Sequence, residues 1–352
     1  MCFWDLYVGG VHIRTSNHYV TFSRCEFLNN RADEDGGGVY LRQRNDYVIF
    51  ADCVFSYNYV VETGGGLYIR TDNNDMIFRN CIFIENFALE GGAAVGIRSN
   101  NYDMSFQNCS FLDNYAVDYG GAMYLVTYNS RLQIENCRFE RNIASTNYGG
   151  AIFLVSLNRR FYISDCYFLE NEAGQAGGAI FSSTFNSDML LVNNIFDYNT
   201  AFISGGAIYL GIDHDDLTMT NCSILNSYAE TGGGLYISAF NENFLIESCK
   251  YINNTASNEG GGIASFTHTM RIVLTEFLYN NANVAGAGTF SSTLPTEGTV
   301  HFDNCTVAHN VADYGSGGFG IYSLNEVIIS HCQIFGNVAE GKQISTYYYS
   351  LI

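Results

Sequence analysis

Several groups of residues in this chain are of the types that carry chemistry. In the run GIDHDD, Asp213, Asp215 and Asp216 surround His214. Glu85 and Asp113 are a second acidic pair. Carboxylate pairs about 5–9.5 Å apart across a cleft hydrolyse glycosidic bonds. Glu34, Glu62, Glu90 and Asp118 form a longer acidic series at even intervals. Carboxylates gathered in this way are what Ca²⁺ takes as ligands. Glycine pairs such as Gly91-Gly92, Gly120-Gly121 and Gly205-Gly206 invite a phosphate-loop reading. The chain also has 11 cysteines, an odd number that intrachain disulfides cannot exhaust.

The spacing decides between these readings. Cys25, Cys53, Cys81, Cys109 and Cys137 are evenly spaced, and the series continues through Cys166, Asn194, Cys222, Cys249, Thr275 and Cys305 to Cys332. The interval is that of a repeat protein, and the acidic series and the pair Glu85 and Asp113 share it. A large apolar residue follows each slot by two (Phe55, Phe83, Phe111, Phe139) and an asparagine by five (Asn58, Asn86, Asn114, Asn142). An alanine and the glycine pair come next, and apolar residues occupy the positions five and three before the cysteine. Each unit thus holds three short runs of period 2, which is the strand period and not the helix period. Constant units of three short strands predict an all-β right-handed parallel β-helix of about 12 coils, each ~28 residues long. At ~4.8 Å per coil the rod is roughly 58 Å long.

Within that frame most of the chemistry becomes architecture. A phosphate loop needs one strand–glycine loop–helix, and here the glycines recur and open strands. The cysteines read as a buried column of small apolar side chains, with paired rungs as the other reading. No Cys-x-x-Cys or histidine column suggests zinc. GIDHDD occupies the turn that other coils fill with RTDNND or SAFNEN, so a plain turn is favoured over a catalytic pair. Coils of nearly constant length leave no insertion to wall a cleft, and functional sites usually lie on such loops.

Two outward columns remain. After the glycine pair the pattern is small–apolar–aromatic–apolar, which points the aromatic outward if the apolar pair points in. Its members are Tyr40, Tyr68, Val95, Tyr124, Phe153, Phe181, Tyr209, Tyr236, Ala264 and Phe290. Such a stripe either binds a glycan or protein, or stacks coil on coil. The acidic series is either a row of solvated corners or a Ca²⁺ site; no other cofactor is expected. Four glycosylation acceptors, Asn108, Asn221, Asn253 and Asn304, lie in Asn-x-Ser/Thr motifs, three of them directly before the cysteine slot at an expected outward corner.

Composition narrows the partners. A net charge of −19 with two lysines argues against nucleic acid. No apolar run approaches the length that crosses a bilayer, so no membrane-spanning helix is expected. The opening MCFWDLYVGGVHIRT has neither the basic nor the apolar region of a signal peptide, so secretion would need a signal upstream.

The paired motifs Phe111-Leu-Asp-Asn114 with Gly120-Gly121-Ala122-Met123, and Phe196-Asp-Tyr-Asn199 with Gly205-Gly206-Ala207-Ile208, resemble the repeat of the chlamydial polymorphic membrane proteins. The resemblance extends from about Gly9 to Asn337. It implies a surface-exposed or secreted passenger that serves adhesion, although no membrane-embedded translocator barrel is visible. The expectation is one solenoid over 1–352: a partial coil over 1–19, regular coils over 20–341 and a tail over 342–352. Neither end shows a polar cap, so a segment of a longer rod or end-to-end self-assembly is expected. The functional expectation is a non-catalytic extracellular or cell-surface protein that contacts protein or glycan partners. A filament subunit and a polysaccharide lyase or hydrolase are the alternatives.

Overall fold

A computed structural model describes residues 9–292 and 298–341. Its described residues are strands and turns, without helix. They form a parallel β-helix of four sheets, each 12 strands deep. Every strand pairs in parallel with its equivalents one coil before and after, as Met104 pairs with Met76 and Leu132. One coil shows the plan: Met123–Thr127, Ser130–Glu135, Arg138–Glu140 and Ile143–Ala144. The fourth strand is additional to the three that the sequence predicts. In most coils it is only a residue pair, too short for any periodicity to register.

Alternation on each strand sends one set of side chains into the lumen. Phe27, Phe55, Phe83, Phe111, Phe139, Phe168 and Phe196 stack face to face, with centroids 4.5–5.0 Å apart. Each buried ring contributes about 1.5–3 kcal/mol by leaving water. All ten described cysteines are free thiols. Cys109 Sγ, for example, donates to the carbonyls of Phe78 (3.5 Å) and Gln107 (3.4 Å).

The corners have equally specific causes. Asn86 is buried and must find its partners within the protein. Its backbone N–H and its Nδ2 both donate to Asn114 Oδ1 (3.1 and 3.0 Å), and Nδ2 also donates to the Phe55 carbonyl (2.9 Å). This amide ladder, expected from the sequence, repeats from Asn30 to Asn337 with a gap at Ser227. A second ladder, which the varied turn sequences conceal, runs through Asn45, Asn73, Asn101, Asn129, Asn158 and Asn186. The glycine pair is required twice over at Gly120-Gly121. Gly120 has φ +53°, and a Cβ on Gly121 would lie 2.2 Å from the Gly150 carbonyl oxygen.

The short sheet shifts register near Ala229 and Ala256, where the coils shorten. At the last described rung Ile328, Ile329, Ile334, Phe335 and Val338 are exposed. Residues 1–8 and the tail 342–352 lie outside the described residues.

Candidate functional site

The strands that follow the glycine pair build the most distinctive outer face. Val39–Gln43, Leu67–Thr71 and Val95–Ser99 stack in register, Leu41 on Ile69 on Ile97 and Gln43 on Thr71 on Ser99. Val39 and Leu41 are buried in the lumen. Alternation therefore turns Tyr40 and Arg42 to the outer side, and the register places Arg42, Arg70 and Arg98 one above another. Arg14 occupies the same position in the preceding coil, since Ile13 pairs with Leu41 and Thr15 with Gln43. Neighbouring rungs stand about 4.8 Å apart.

Among the described residues, none of Arg42, Arg70 and Arg98 has an acidic oxygen within ion-pair distance. Arg70 Nη1 donates to the Tyr40 hydroxyl at 3.5 Å, and Tyr68 beside Arg98 raises the pKa of that guanidinium. Phenols that accept from guanidinium in this way fix the fork without neutralising it. The three arginines line a shallow groove of about 470 Å³ together with Gln43, Thr71 and Ser99. Gln43 Nε2 donates to Asp72 Oδ2 at 3.2 Å. On the corner side stands Asp35, whose carboxyl is pushed up to about 7, first by burial and then by Glu62. Glu90 is raised for the same reasons, burial first and then Glu62 and Asp118. Tyr68 is raised strongly, chiefly by burial.

The aromatic column does point away from the lumen, but it is not an exposed stripe. Tyr40 is 9%, Tyr68 3% and Tyr124 8% exposed, and Phe153 and Phe181 are buried as well. The corner folds back over them. Tyr119 and Tyr148 lie on Phe153 and Phe181, with centroids 5.2 Å apart for Tyr119–Phe153 and 4.4 Å for Tyr148–Phe181. Tyr209 and Tyr236 are half-buried and continue the stack at 4.5 and 4.9 Å. The column is a second, outer core. Its register also corrects two members: Gly96, not Val95, pairs with Tyr68 and Tyr124, and Thr289, not Phe290, pairs with Ala264, while Phe290 belongs to the inner core.

The acidic series lies along one corner. Glu34, Glu62 and Glu90 are exposed and Asp118 is half-exposed. Their backbones are chained, Glu62 N–H to Glu34 carbonyl at 3.0 Å and Glu90 N–H to Glu62 carbonyl at 3.1 Å. Asp118 Oδ1 accepts from Thr146 Oγ1 (2.5 Å) and Asn147 Nδ2 (3.1 Å). Among the described residues no three acidic, histidine or cysteine side chains converge as metal ligands.

The candidate catalytic groups lie at repeated turns and corners, with Glu85 and Asp113 in equivalent positions of adjacent coils. His214 is buried in an asparagine slot of the second ladder. Its Nδ1–H donates to the Ile212 carbonyl (3.0 Å), so Nε2 accepts from the Ser182 hydroxyl (2.7 Å). Burial pushes its pKa down to about 4. Asp215 and Asp216 are exposed in the turn. Glu85 accepts from the Tyr57 hydroxyl at 3.0 Å, and Asp113 is held by Arg141 at 2.7 and 3.0 Å.

Asn108, Asn221, Asn253 and Asn304 are all exposed, at left-handed corners with φ between 52° and 57°. Three of them already share amide hydrogen bonds with the neighbouring coil: Asn108 with Asn136 (2.6 Å), Asn221 with Asn193 (2.8 Å) and Asn253 with Asn226 (2.7 Å).

The arginine column went unrecognised in the sequence, although its signal is there: Arg14, Arg42, Arg70 and Arg98 recur at the interval of the cysteines. A strongly negative total charge draws attention from a local basic line.

Residues 9–196 match the family described as right handed beta helix region. No curated protein matches. Among solved structures, the chain is similar to the A-module of the mannuronan C-5 epimerase AlgE4 of Azotobacter vinelandii, at 13% identity. That match covers 93% of this chain and 90% of the module, with a TM-score of 0.31.

Proposed function

The chain belongs to the right-handed β-helix family, and on that premise we propose that it is a non-catalytic rod that presents outward side-chain columns to a partner outside the cell or at its surface. One observation carries the reading. Twelve coils keep their inner columns nearly unchanged, while the outer columns change identity along the rod and leave shallow grooves such as the one between the arginines. A scaffold under that pattern displays a linear surface. The repeat's likeness to chlamydial polymorphic membrane proteins supports a surface, adhesive role.

The test is to incubate the purified chain with neutral and acidic polysaccharides, following both retention on immobilised polymer and release of new chain ends. Retention without new chain ends is expected. Turnover that Asp215→Ala abolishes would overturn the reading in favour of a polysaccharide-cleaving enzyme.

A further inference from the structure

We propose that the arginine column is a binding rail for a linear sugar chain carrying about one carboxylate or sulfate group per residue. This rests on the reading of the rod as a presenting surface and names the ligand of that surface. Arginine is the side chain suited to planar acidic groups, because its fixed fork donates two parallel hydrogen bonds. Three such forks stand in register with no acidic oxygen within ion-pair distance among the described residues, and Arg70 is steadied by the hydroxyl of the buried Tyr40. Stacking like charges one rung apart is unfavourable by itself and is relieved by an anionic ligand. Two exposed arginines on other faces, by contrast, are each matched by an acid one coil away, Arg131 by Asp103 and Arg141 by Asp113.

The spacing selects the class of ligand. The rail repeats about every 4.8 Å. An extended acidic peptide advances about 3.4 Å per residue. A nucleic-acid duplex carries a phosphate per strand about every 3.4 Å of axis. A linear glycan places its acidic groups one ring plus one bridging oxygen apart, close to one rung. Gln43, Thr71 and Ser99 run beside the arginines in the same groove and offer amide and hydroxyl partners for sugar hydroxyls. Asp35 and Glu90 stand within electrostatic reach of Arg98 and mark the corner edge of the rail.

The experiment uses the full chain and four immobilised probes: polygalacturonate, dextran sulfate, unmodified dextran and oligothymidylate. Binding to one or both acidic glycans, weakened by added salt and undetectable on dextran and oligothymidylate, is expected. Preference between the first two assigns carboxylate or sulfate. The Arg42→Gln/Arg70→Gln/Arg98→Gln variant is expected to lose at least about tenfold in affinity, and the matching triple lysine variant to fall between it and the native chain. Arg79→Gln, on another sheet, is expected to bind like the native chain. Unchanged binding by the triple glutamine variant, equal binding to dextran, or arginine-dependent binding to oligothymidylate alone would each overturn the proposal. Failure to bind any glycan overturns the rail and leaves the presenting-surface reading standing. Cleavage of a bound glycan overturns the non-catalytic reading and leaves the rail.

Discussion

The strands that follow the glycine pair have one backbone geometry and two kinds of outer surface. In the first four coils the second outward position is Arg14, Arg42, Arg70 and Arg98; in the next four it is Val126, Val155, Ser183 and Gly211. The first region is a polar groove edged by Asp35 and Glu90. The second is sheathed by Tyr119 and Tyr148 stacked on Phe153 and Phe181. Beneath both runs the same pile of phenylalanines, the same thiols and the same asparagine ladder. The inner columns carry the stability of the rod and the outer ones are free to differ, so outward specificity here is written by column and not by coil.

The most disruptive way to test this is to remove equivalent rings from each region. Phe55→Ala and Phe168→Ala are each expected to destabilise the fold by about 3–5 kcal/mol, measured by denaturant unfolding. A large difference between the two would mean that the regions are not built alike inside. Breaking the amide ladder comes next. Asn86→Ala and Asn171→Ala are each expected to cost about 2 kcal/mol, because buried N–H groups and a carbonyl lose their partners. A smaller, opposite change is expected at Tyr251, which occupies the phenylalanine column with its hydroxyl buried and unpartnered among the described residues. Tyr251→Phe is expected to stabilise by about 1 kcal/mol, and a loss of stability would show that the hydroxyl is satisfied.

The two regions also titrate in opposite senses. Asp35, in the first, has a folded pKa raised to about 7, so the folded state holds its proton more tightly than the unfolded chain. Its stability contribution is complete below the ordinary carboxylate range and is lost as pH rises through about 7. His214, in the second, has a folded pKa lowered to about 4. Its contribution is complete above the ordinary imidazole range and is lost as pH falls toward 4. Asp35→Asn is therefore expected to flatten the melting temperature between pH 4 and 7, and His214→Asn to flatten it between pH 7 and 4. Unaltered pH profiles in these variants would remove both assignments.

The sequence makes the inner columns legible because each uses one residue type at one spacing: Phe111 and its equivalents, Asn114 and its equivalents, Gly120-Gly121. It also orients the tyrosines away from the lumen. What it cannot show is their cover, since Tyr119 and Tyr148 belong to a corner that alternation along a strand does not describe. The second asparagine ladder is hidden for a related reason: its turn tolerates RTDNND and GIDHDD alike, and His214 replaces an amide by satisfying the same slot. Val95 is mistaken for Gly96 because the segment Gly-Gly-Ala-Ala-Val-Gly-Ile has no aromatic to mark the slot. Glu34, Glu62, Glu90 and Asp118 are visible as a series, yet only the geometry shows that they lie side by side along a corner without converging.

The most direct test of the whole account measures fold and binding together on one protein. The Arg42→Gln/Arg70→Gln/Arg98→Gln variant should melt within a few degrees of the native chain, since exposed substitutions usually change stability by only about 0.5 kcal/mol. The same sample should lose at least about tenfold in affinity for the acidic glycan that the native chain prefers. Undiminished binding, or a collapsed melting temperature, would contradict the division between an inner scaffold and an outer rail.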